Sequence, residues 1–409
     1  MGCVLLGWVT KPLVLSRAIK RSGVPMSGTI AIVGAGFSGA VVARELAEAG
    51  ISSTVYDARE HVAGNAHTER HSNGVMVHVY GPHIFHTNHE RVWEYINRFG
   101  TMLPYNHRVK ATSGGAVYSL PVNLHTINQF FDKTLTPAEA QEFITSQADN
   151  SIGTPVSFED QAMKFVGRPL YEAFFKGYTQ KQWGVSPTEL PASILARLPV
   201  RFTYEDSYFN HPHQAIPENG YTPIVQAILD HPLIDVRLGV TVDPVTISDA
   251  EHIFWSGPID QWFAQSFGRL GYRTLDFEQE VLDGDYQGCP VMNYCDEDVA
   301  YTRITEHKHF APWESHDATV IYREFSRLCT DEDIPYYPIR LVKEKEQLLQ
   351  YVQAARAATG VTFLGRLGTY RYLDMDVTIK EALEVADEFL SCHKDGRTMP
   401  SFVSDPMGA

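Results

Sequence analysis

The residues best suited to ligand chemistry lie in the stretch RLGTYRYLDMD, which runs from Arg366 to Asp376. It brings guanidinium groups, tyrosine hydroxyls and carboxylates together near the end of an acidic chain. Guanidinium groups pair with phosphate oxygens in a bidentate way, and tyrosine hydroxyls donate hydrogen bonds to the same oxygens. An ordinary strand-to-helix turn does not explain Arg366, Arg371 and Tyr372 together, so the stretch is predicted to face ligands.

A second dense stretch is GYTQKQWGVSPTEL, residues 177–190, in which Tyr178 and Trp183 are interleaved with polar residues. Aromatic residues in a helical segment most often belong to the core. The interleaved Lys181 and Gln182 make full burial unfavourable, and the interpretation that we favour is contact with a ligand.

Two arginines in different surroundings extend this set. Arg197 lies beside Pro199 in a predicted connecting segment, where an arginine is either solvated surface or a mobile clamp on phosphate oxygens. Arg303 lies within YTRIT, a predicted strand, where a charge requires a partner or a cleft.

Seven histidines lie between His61 and His89, and three of them, at positions 83, 86 and 89, are spaced three residues apart. Metal binding is one interpretation, but carboxylate or cysteine partners at ligand spacing are missing, and Gly81-Pro82 indicates a loop. The favoured alternative is that these polar residues line a cofactor cleft. We therefore predict no metal site.

Several function classes are excluded by composition and motifs. The formal net charge of −15 argues against broad binding to nucleic acid, which requires clustered lysine and arginine. The five cysteines are scattered without CxxC spacing, which is typical of a reducing compartment. The sequence contains no GxSxG, HExxH or Walker motif, so a bound cofactor is expected to perform the difficult chemical step.

A dinucleotide-binding unit is predicted from Thr29 onward. TIAIV has the composition of a strand, GAGFSG is a glycine turn, AVVARELAEAG has a helical pattern, and STVYD supplies the second strand. Gly34 permits the tight turn, Gly36 allows backbone N–H groups to approach a pyrophosphate, and Gly39 allows close packing of helix and strand. Asp57, about twenty residues beyond the turn, is placed to accept hydrogen bonds from a ribose.

The rest of the chain divides into further segments. Residues 1–25 contain the apolar run VLLGWV, which is too short to span a bilayer, and we expect a disordered extension and no membrane insertion. LHTINQFFDKT, TPAEAQEF and SFEDQAMKFVG predict a helical insertion. PVRFTYEDSYFN, VAYTRITEHKHF and ATVIYREFS predict an antiparallel sheet. LIDVRLGVTVD and the segment VTFLGRLG onward predict a return to the nucleotide-binding domain.

These motifs together resemble the bacterial UDP-galactopyranose mutases. The resemblance rests on GAGFSGA, GPHIFHT, GYTQKQWG, ARLPVR, SYFN, IPYYPIR and GRLGTYRYLDMD, and it covers the chain from about residue 28 to about residue 390. It implies FAD, active in its reduced form, and UDP-galactopyranose and UDP-galactofuranose as substrates. The implied reaction is a non-redox isomerisation through an adduct between galactose and N5 of the flavin.

The resemblance also implies an α/β fold with a Rossmann-like FAD-binding domain, an inserted helical bundle and an antiparallel β-sheet domain. With the coarse segment assignment, the FAD-binding domain comprises residues 26–105, 215–250 and 350–395. The helical substrate domain comprises residues 122–200 and includes a mobile loop. The sheet domain comprises residues 106–121, 201–214 and 251–349.

Site residues are carried over by matching motifs. The resemblance implies that Arg197, Arg303 and His83 are catalytic. The residues that it places on the substrate are Tyr178, Trp183, Arg197, Tyr208, Arg303, Tyr337, Tyr372 and Asp374. The residues that it places on the cofactor are Gly34, Gly36, Phe37, Ser38, Gly39, Asp57, Gly64, Asn65, Arg366, Asp374 and Met375.

One position departs from the pattern of related flavoproteins, which often carry a glycine pair after the ribose-binding acid. Here Ala63 precedes Gly64. Alanine adopts most backbone conformations except those with positive φ, so the departure bears on local geometry and not on the choice of FAD.

Two other functions remain open at this stage: an amine-oxidase-like redox flavoenzyme on the same framework, and a nucleotide-sugar binding protein without catalysis. The arginine and tyrosine set suits a diphosphate better than an amine, which favours the mutase. We further expect a cytoplasmic protein, a homo-oligomer, and a cellular reductant such as NAD(P)H or a flavin reductase.

Overall fold

The computed structural model describes residues 29–192, 194 and 200–408. The expected N-terminal extension, residues 1–25, lies outside the described residues. The strands are β1 Ile30–Val33, β2 Ser53–Tyr56, β3 Thr68–Arg70, β4 Met76–His78, β5 Phe85–Thr87, β6 Met102–Pro104, β7 Val109–Ser113, β8 Ala116–Leu120, β9 His213–Pro217, β10 Ile234–Arg237, β11 His252–Trp255, β12 Tyr272–Asp283, β13 Val291–Tyr294, β14 Arg303–Glu306, β15 Ala318–Leu328, β16 Tyr337–Pro338 and β17 Val361–Phe363.

The helices follow the same chain order. They are α1 Phe37–Glu48, α2 Glu90–Asn97, α3 Leu124–Phe130, α4 Pro137–Gln147, α5 Phe158–Leu170, α6 Gly177–Trp183, α7 Tyr221–Leu229, α8 Ile259–Trp262, α9 Val342–Ala357, α10 Gly365–Gly368 and α11 Met375–Asp395. A π-helical segment, Tyr171–Lys176, joins α5 to α6.

A five-stranded parallel sheet forms the base of the cofactor-binding region. Its strand order is β10-β2-β1-β11-β17, and all of its pairs are parallel. Alternate residues of β1 point to opposite faces, so Ile30 and Ile32 pack with α1, α7 and α11 while Ala31 packs with α9. A parallel sheet covered on both faces confirms the predicted Rossmann-like α/β fold.

The second large sheet has seven strands in the order β16-β12-β15-β14-β13-β7-β8. It is antiparallel except for the pair β7 and β13, which run parallel. The long strands β12 and β15 pair from Arg273 with Leu328 to Asp283 with Ala318. This sheet carries Arg303 at the start of β14, directly opposite Glu324 of β15.

A helical insertion, α3 to α6, lies between β8 and β9 in the chain. Two of its helices begin with capping boxes, in which the N-cap side chain and the third helical residue satisfy each other's backbone N–H groups. Thr136 and Glu139 form the box of α4, and Ser157 and Asp160 form the box of α5. The helix starts predicted from TPAEAQEF and SFEDQ are therefore confirmed.

Two expectations about this architecture were wrong. The aromatic run of residues 199–210 was predicted to form a strand, but the described residues 200–210 contain none. Instead, Arg201 donates through its side chain to the Ser207 carbonyl and the Asn210 side chain, which holds an irregular segment. The boundary predicted at residue 250 is too early, because β11 lies between β1 and β17 in the parallel sheet.

Among the residues described, none of the helices is long and apolar enough to cross a membrane.

Burial of a histidine in the parallel sheet predicts a pH-dependent stability. His252 is 6% exposed, its Nε2 lies 3.0 Å from the Thr362 hydroxyl, and burial lowers its pKa from 6.5 to about 4. The folded state therefore keeps this imidazole neutral while the unfolded state binds a proton below pH 6.5. Between pH 6 and 4.5, His252 should lower the free energy of unfolding by about 1.4 kcal/mol per pH unit as the pH falls.

This contribution is measured as the difference in pH dependence between wild type and His252→Gln in urea unfolding. The variant should lose stability less steeply below pH 6.5 and run parallel to wild type above it. Identical slopes below pH 6.5 would contradict the assignment.

Candidate active site

A glycine turn at the carboxyl end of β1 forms a cradle for a dinucleotide. Gly34 has φ +105°, and a Cβ on Gly39 would lie 2.0 Å from the Gly34 carbonyl oxygen. Only residues without side chains permit this approach of helix to strand. Helix α1 begins at once after Gly36, without a side-chain cap, so its first N–H groups are available for a phosphate.

Asp57 lies at the end of β2, beside this turn. Its Oδ2 accepts a hydrogen bond from the Ala35 N–H at 2.8 Å, and its Oδ1 accepts one from the Arg59 N–H at 2.9 Å. The carboxylate therefore orders the turn itself, in addition to its predicted contact with a ribose.

A second segment closes the cradle from the opposite side. The residues after Asp57 form a short 3-10 turn, Gly64–Ala66, and a Cβ on Gly64 would lie 3.4 Å from the Gly36 Cα. Ala63 adopts φ +75° although it is not a glycine, and it is 2% exposed. A left-handed alanine costs roughly 1 kcal/mol, so packing and the turn hold this backbone in place.

The side chain of Asn65 receives a hydrogen bond from Arg59, 2.7 Å from Nη2 to Oδ1. The Arg59 guanidinium also lies over the Tyr80 ring, at 4.6 Å from its centroid, and its buried Nη1 has no partner among the described atoms. Arg59 is not among the residues predicted for the site. Its position two residues after Asp57 is the signal that could have identified it.

The stretch after β17 completes this region from the far end of the chain. A Cβ on Gly365 would lie 2.5 Å from the Ser38 hydroxyl oxygen, and one on Gly368 would lie 2.6 Å from the Trp255 carbonyl oxygen. Phe37 points instead into the core, where its ring meets Tyr221 edge to face. Phe37 and Ser38 can thus contribute backbone N–H groups at the start of α1.

Arg303 and Glu324 form an ion pair in which the carboxylate is buried and the arginine side chain is 20% exposed. The Glu324 side chain is 1% exposed, and its Oε1 accepts from Arg303 Nε at 3.0 Å and Nη2 at 2.9 Å. Burial opposes the charge, but Glu324, Tyr178 and Tyr337 hold the Arg303 pKa well above its usual range. Glu324 was not predicted as a site residue, because it lies opposite Arg303 only when β14 and β15 are paired.

Three tyrosines surround this arginine. Tyr178, Tyr208 and Tyr337 all lie close enough to Arg303 for its charge to lower their pKa values, although burial raises each pKa overall. The Tyr337 ring stacks on Tyr372 with centroids 5.7 Å apart. The predicted substrate residues of three distant segments therefore meet at one place.

Arg366 lies against the same tyrosines. Its guanidinium is 4.9 Å from the Tyr372 centroid and 5.4 Å from that of Tyr337, and it donates to the carbonyls of Tyr336 and Leu373. It thus lies between the glycine cradle and the tyrosine cluster.

Arg371 was predicted, together with Arg366 and Tyr372, to face a ligand, but the structure gives it another role. It forms a bidentate pair with Glu381 of α11, at 3.0 Å and 2.5 Å, and is structural. Tyr370, the residue before Arg371, has φ +50°, and its hydroxyl donates to the Gly271 and Ile339 carbonyls. Tyr370 therefore holds the backbone in a left-handed conformation directly before Arg371.

His83 lies beside Arg303 and Arg366. Burial and, to a smaller degree, these two charges lower its pKa to about 4, so the imidazole is neutral. Because Nδ1 lies 2.9 Å from the Gly81 carbonyl, which only accepts, Nδ1 carries the proton and Nε2 is left as an acceptor.

The other predicted histidines and acids are placed as follows. His86 Nδ1 lies 2.8 Å from His211 Nδ1, and its ring stacks on Phe209. Asp374 is the N-cap residue of α11, immediately before Met375, and its charge acts on His86 and Tyr208. His83 therefore lies beside the two arginines, His86 pairs with His211, and His89 is the N-cap residue of α2.

In the described part of the chain, one trio of possible metal ligands lies away from His83, His86 and His89. It comprises Asp285, Glu306 and His309. The Lys308 ammonium lies 2.8 Å from Asp285 and already supplies a positive charge there.

Trp183 ends α6 and packs partly buried against the cluster around Phe158 and Leu190. Arg197, the predicted loop clamp, lies outside the described residues.

Two family models match parts of this chain. A family model described as UDP-galactopyranose mutase matches residues 173–372, and one described as NAD(P)-binding Rossmann-like domain matches residues 32–99. The chain is 58% identical over 374 residues to a probable UDP-galactopyranose mutase of Klebsiella pneumoniae, an alignment that covers 91% of this chain and 97% of that protein. The chain belongs to the UDP-galactopyranose mutase family.

A second relative and a solved structure also match this chain. A dTDP-fucopyranose mutase of Escherichia coli is 54% identical over 374 residues, covering 90% of this chain and 99% of that protein. A crystal structure of reduced UDP-galactopyranose mutase matches with a TM-score of 0.71 at 15% identity, covering 89% of this chain and 96% of that chain. The predicted family, fold and mutase activity are thereby confirmed, and the protein is an isomerase that uses a flavin.

The cradle generates a test of cofactor binding. Gly39→Ala would place a methyl group against the Gly34 backbone, which cannot move independently, and should lower the free energy of unfolding by about 2 kcal/mol. The flavin content of the purified protein, measured by its visible absorbance per chain, should fall. Gly153→Ala is the matched control, because a Cβ there meets nothing within 4 Å.

The buried ion pair generates a second test. Glu324→Gln keeps the shape of the side chain but leaves Arg303 without its counter-charge, which should cost about 3 kcal/mol of stability. UDP should then raise the melting temperature of this variant more than that of wild type, because the diphosphate replaces the missing negative charge. Equal increases would show that Arg303 does not meet the diphosphate.

Proposed function

We propose that this protein interconverts UDP-galactopyranose and UDP-galactofuranose, with FAD bound in its reduced form. The observation that carries the proposal is the convergence of Arg303, Tyr178, Tyr208, Tyr337 and Tyr372 beside a dinucleotide cradle. A nucleotide sugar supplies the diphosphate that such a set suits, and its sugar end then extends toward the cofactor.

The cradle residues fit FAD on chemical grounds. Gly34, Gly36, Gly39 and Gly64 leave the backbone exposed to a pyrophosphate, and Asp57 is placed for a ribose. We assign the remaining cofactor contacts to Phe37, Ser38, Asn65, Arg366, Asp374 and Met375. Reduced FAD, when bound, supplies a nucleophilic electron pair for the anomeric carbon, so the isomerisation needs no net redox change.

The chain's own residues hold the substrate for this chemistry. Arg303, fixed by Glu324, offers its remaining N–H groups to the diphosphate, and Arg197 is proposed to close on it from the other side. Tyr178, Tyr208, Tyr337 and Tyr372 donate hydroxyl hydrogen bonds to phosphate oxygens or lie against the uridine. Each charge-assisted bond contributes roughly 1.5 to 3 kcal/mol.

At the sugar end, Trp183 shapes the cleft and His83 provides a neutral imidazole whose Nε2 accepts a hydrogen bond from a sugar hydroxyl. Asp374 adds a carboxylate acceptor on the same side. Their task is to orient the sugar and to exclude water while the ring opens and closes.

The organisation and setting of the enzyme are also proposals. We propose a discontinuous FAD-binding domain, now extended to include β11, with the helical insertion and the seven-stranded sheet as the other two units. The four cysteines that the structure describes are free, which supports a cytoplasmic location. A homo-oligomer and a reductant such as NAD(P)H or a flavin reductase complete the proposal.

A second substrate pair is favoured by one observation, the relative named dTDP-fucopyranose mutase at 54% identity. Fucose is galactose without its 6-hydroxyl group, and thymidine carries a 5-methyl group and lacks the 2′-hydroxyl group. The glycine cradle and the diphosphate clamp would serve both nucleotide sugars equally. Discrimination therefore depends on contacts at the two ends of the substrate.

The deciding experiment measures turnover of UDP-galactofuranose and of dTDP-fucofuranose by the purified protein, each with dithionite-reduced and with oxidised flavin. We expect conversion of UDP-galactofuranose to UDP-galactopyranose only when the bound flavin is reduced, and without net flavin oxidation. A kcat/KM that is higher for the dTDP sugar would transfer the assignment to that substrate. Conversion at equal rates with oxidised flavin would refute the requirement for reduced FAD.

A further inference from the structure

Lys181 links α6, which carries the proposed substrate residues Tyr178 and Trp183, to the chain at and after the end of β13. Its ammonium nitrogen lies 2.8 Å from the Tyr294 carbonyl oxygen, 2.8 Å from that of Asp296, 2.9 Å from that of Val299 and 3.2 Å from that of Tyr301. Three N–H donors are thus shared among four backbone carbonyls, and burial lowers the Lys181 pKa.

The position of this contact connects two walls of the cleft. Lys181 lies in α6 between Tyr178 and Trp183, while the four carbonyls belong to the last residue of β13 and to the connection from β13 to β14. Arg303, the first residue of β14, follows two residues after Tyr301. One ammonium group therefore ties the helix bearing Tyr178 to the residues that lead directly into Arg303.

Close packing on both sides shows that the helix has little freedom to move. A Cβ on Gly177 would lie 2.3 Å from the Cys295 carbonyl oxygen, so helix and loop are in backbone contact. At the other end, Arg273 donates through Nε to the Gln182 carbonyl at 3.1 Å, and the Ser326 hydroxyl donates to the same carbonyl at 2.7 Å.

We propose that Lys181 is a positioning residue for the mutase reaction: its ammonium group sets the separation between Tyr178 and Trp183 on α6 and Arg303 on β14. The inference rests on the proposed function. Loss of the ammonium leaves four carbonyl dipoles facing one another without a cation, and the loop has to separate from the helix. The diphosphate contacts on the two walls then no longer match one substrate.

The test uses the FAD-loaded holoenzyme and the variant Lys181→Met, which keeps much of the aliphatic stem. kcat and KM per bound flavin for UDP-galactofuranose, and the Kd of UDP, are measured for wild type and variant. We expect flavin content to be retained and kcat/KM to fall by about ten-fold or more, since small misplacements at a substrate site have large effects. The Kd of UDP should rise in parallel.

The matched control is Lys176→Met. Lys176 lies five residues earlier and its ammonium contacts Glu297 of the same loop at 3.0 Å, but both side chains are exposed. A surface pair of this kind contributes little, so kcat/KM and UDP affinity should stay at the wild-type values.

Chemical rescue separates the ammonium from the rest of the side chain. Lys181→Ala removes the atoms of n-propylammonium, and adding n-propylammonium chloride should restore kcat/KM and UDP affinity. 1-Propanol and tetramethylammonium chloride at the same concentration should not. If Lys181→Met does not fold, Lys181→Ala is prepared in n-propylammonium and measured before and after exchange into 1-propanol.

Two results would overturn the proposal: wild-type kcat/KM and UDP affinity in Lys181→Met, or no greater rescue of Lys181→Ala by n-propylammonium than by 1-propanol. Failure of the proposed function is recognised separately, because wild type would then not convert UDP-galactofuranose with reduced flavin. The UDP affinities would still report on the position of α6.

Discussion

Contact between backbones at the carboxyl edge of the parallel sheet is the constraint on which the site depends. Gly39 lies on the Gly34 carbonyl, Gly365 lies on Ser38, and Gly368 lies on the Trp255 carbonyl. These contacts bring the ends of β1, β11 and β17 within reach of one ligand. Because the contacts of Gly39 and Gly368 are with main-chain carbonyls, no rotamer change can absorb a side chain added at either position. Arg366 and α11 connect this edge to the tyrosine cluster and so determine where the cluster lies.

The positive charge of Arg303 is paired before any ligand binds. Glu324 neutralises Arg303, so the pair presents directed N–H groups rather than a net positive charge. His83 is neutral, and burial likewise lowers the pKa of His107 to about 3. Affinity for a diphosphate then arises from oriented donors in a partly desolvated site, and it does not conflict with the acidic composition of the chain.

The sequence predicted best those features whose determinants are local. The glycine spacing, Asp57 and the capping boxes each lie within one element, and the family motifs indicated the convergence of Tyr178, Tyr337 and Tyr372. Prediction failed where the decisive partner was distant. Residues 199–210 alternate like a strand, but residues 200–210, which the structure describes, form an irregular segment in which Arg201 binds Ser207 and Asn210. Glu324 is opposite Arg303 only after β14 and β15 pair. The sequence did not show whether Ala63 takes a positive φ. Its φ of +75° follows from the tertiary packing.

The order in which the cradle is assembled has a consequence for synthesis of the protein. Gly34 and Ser38 leave the ribosome early, whereas Gly365, which packs on Ser38, follows more than three hundred residues later. At elongation rates of about 5 to 20 residues per second, the first half of the cradle waits for at least fifteen seconds or so without its counterpart. A nascent chain therefore cannot use the complete dinucleotide cradle as a folding template, because the segment around Gly365 is not yet made.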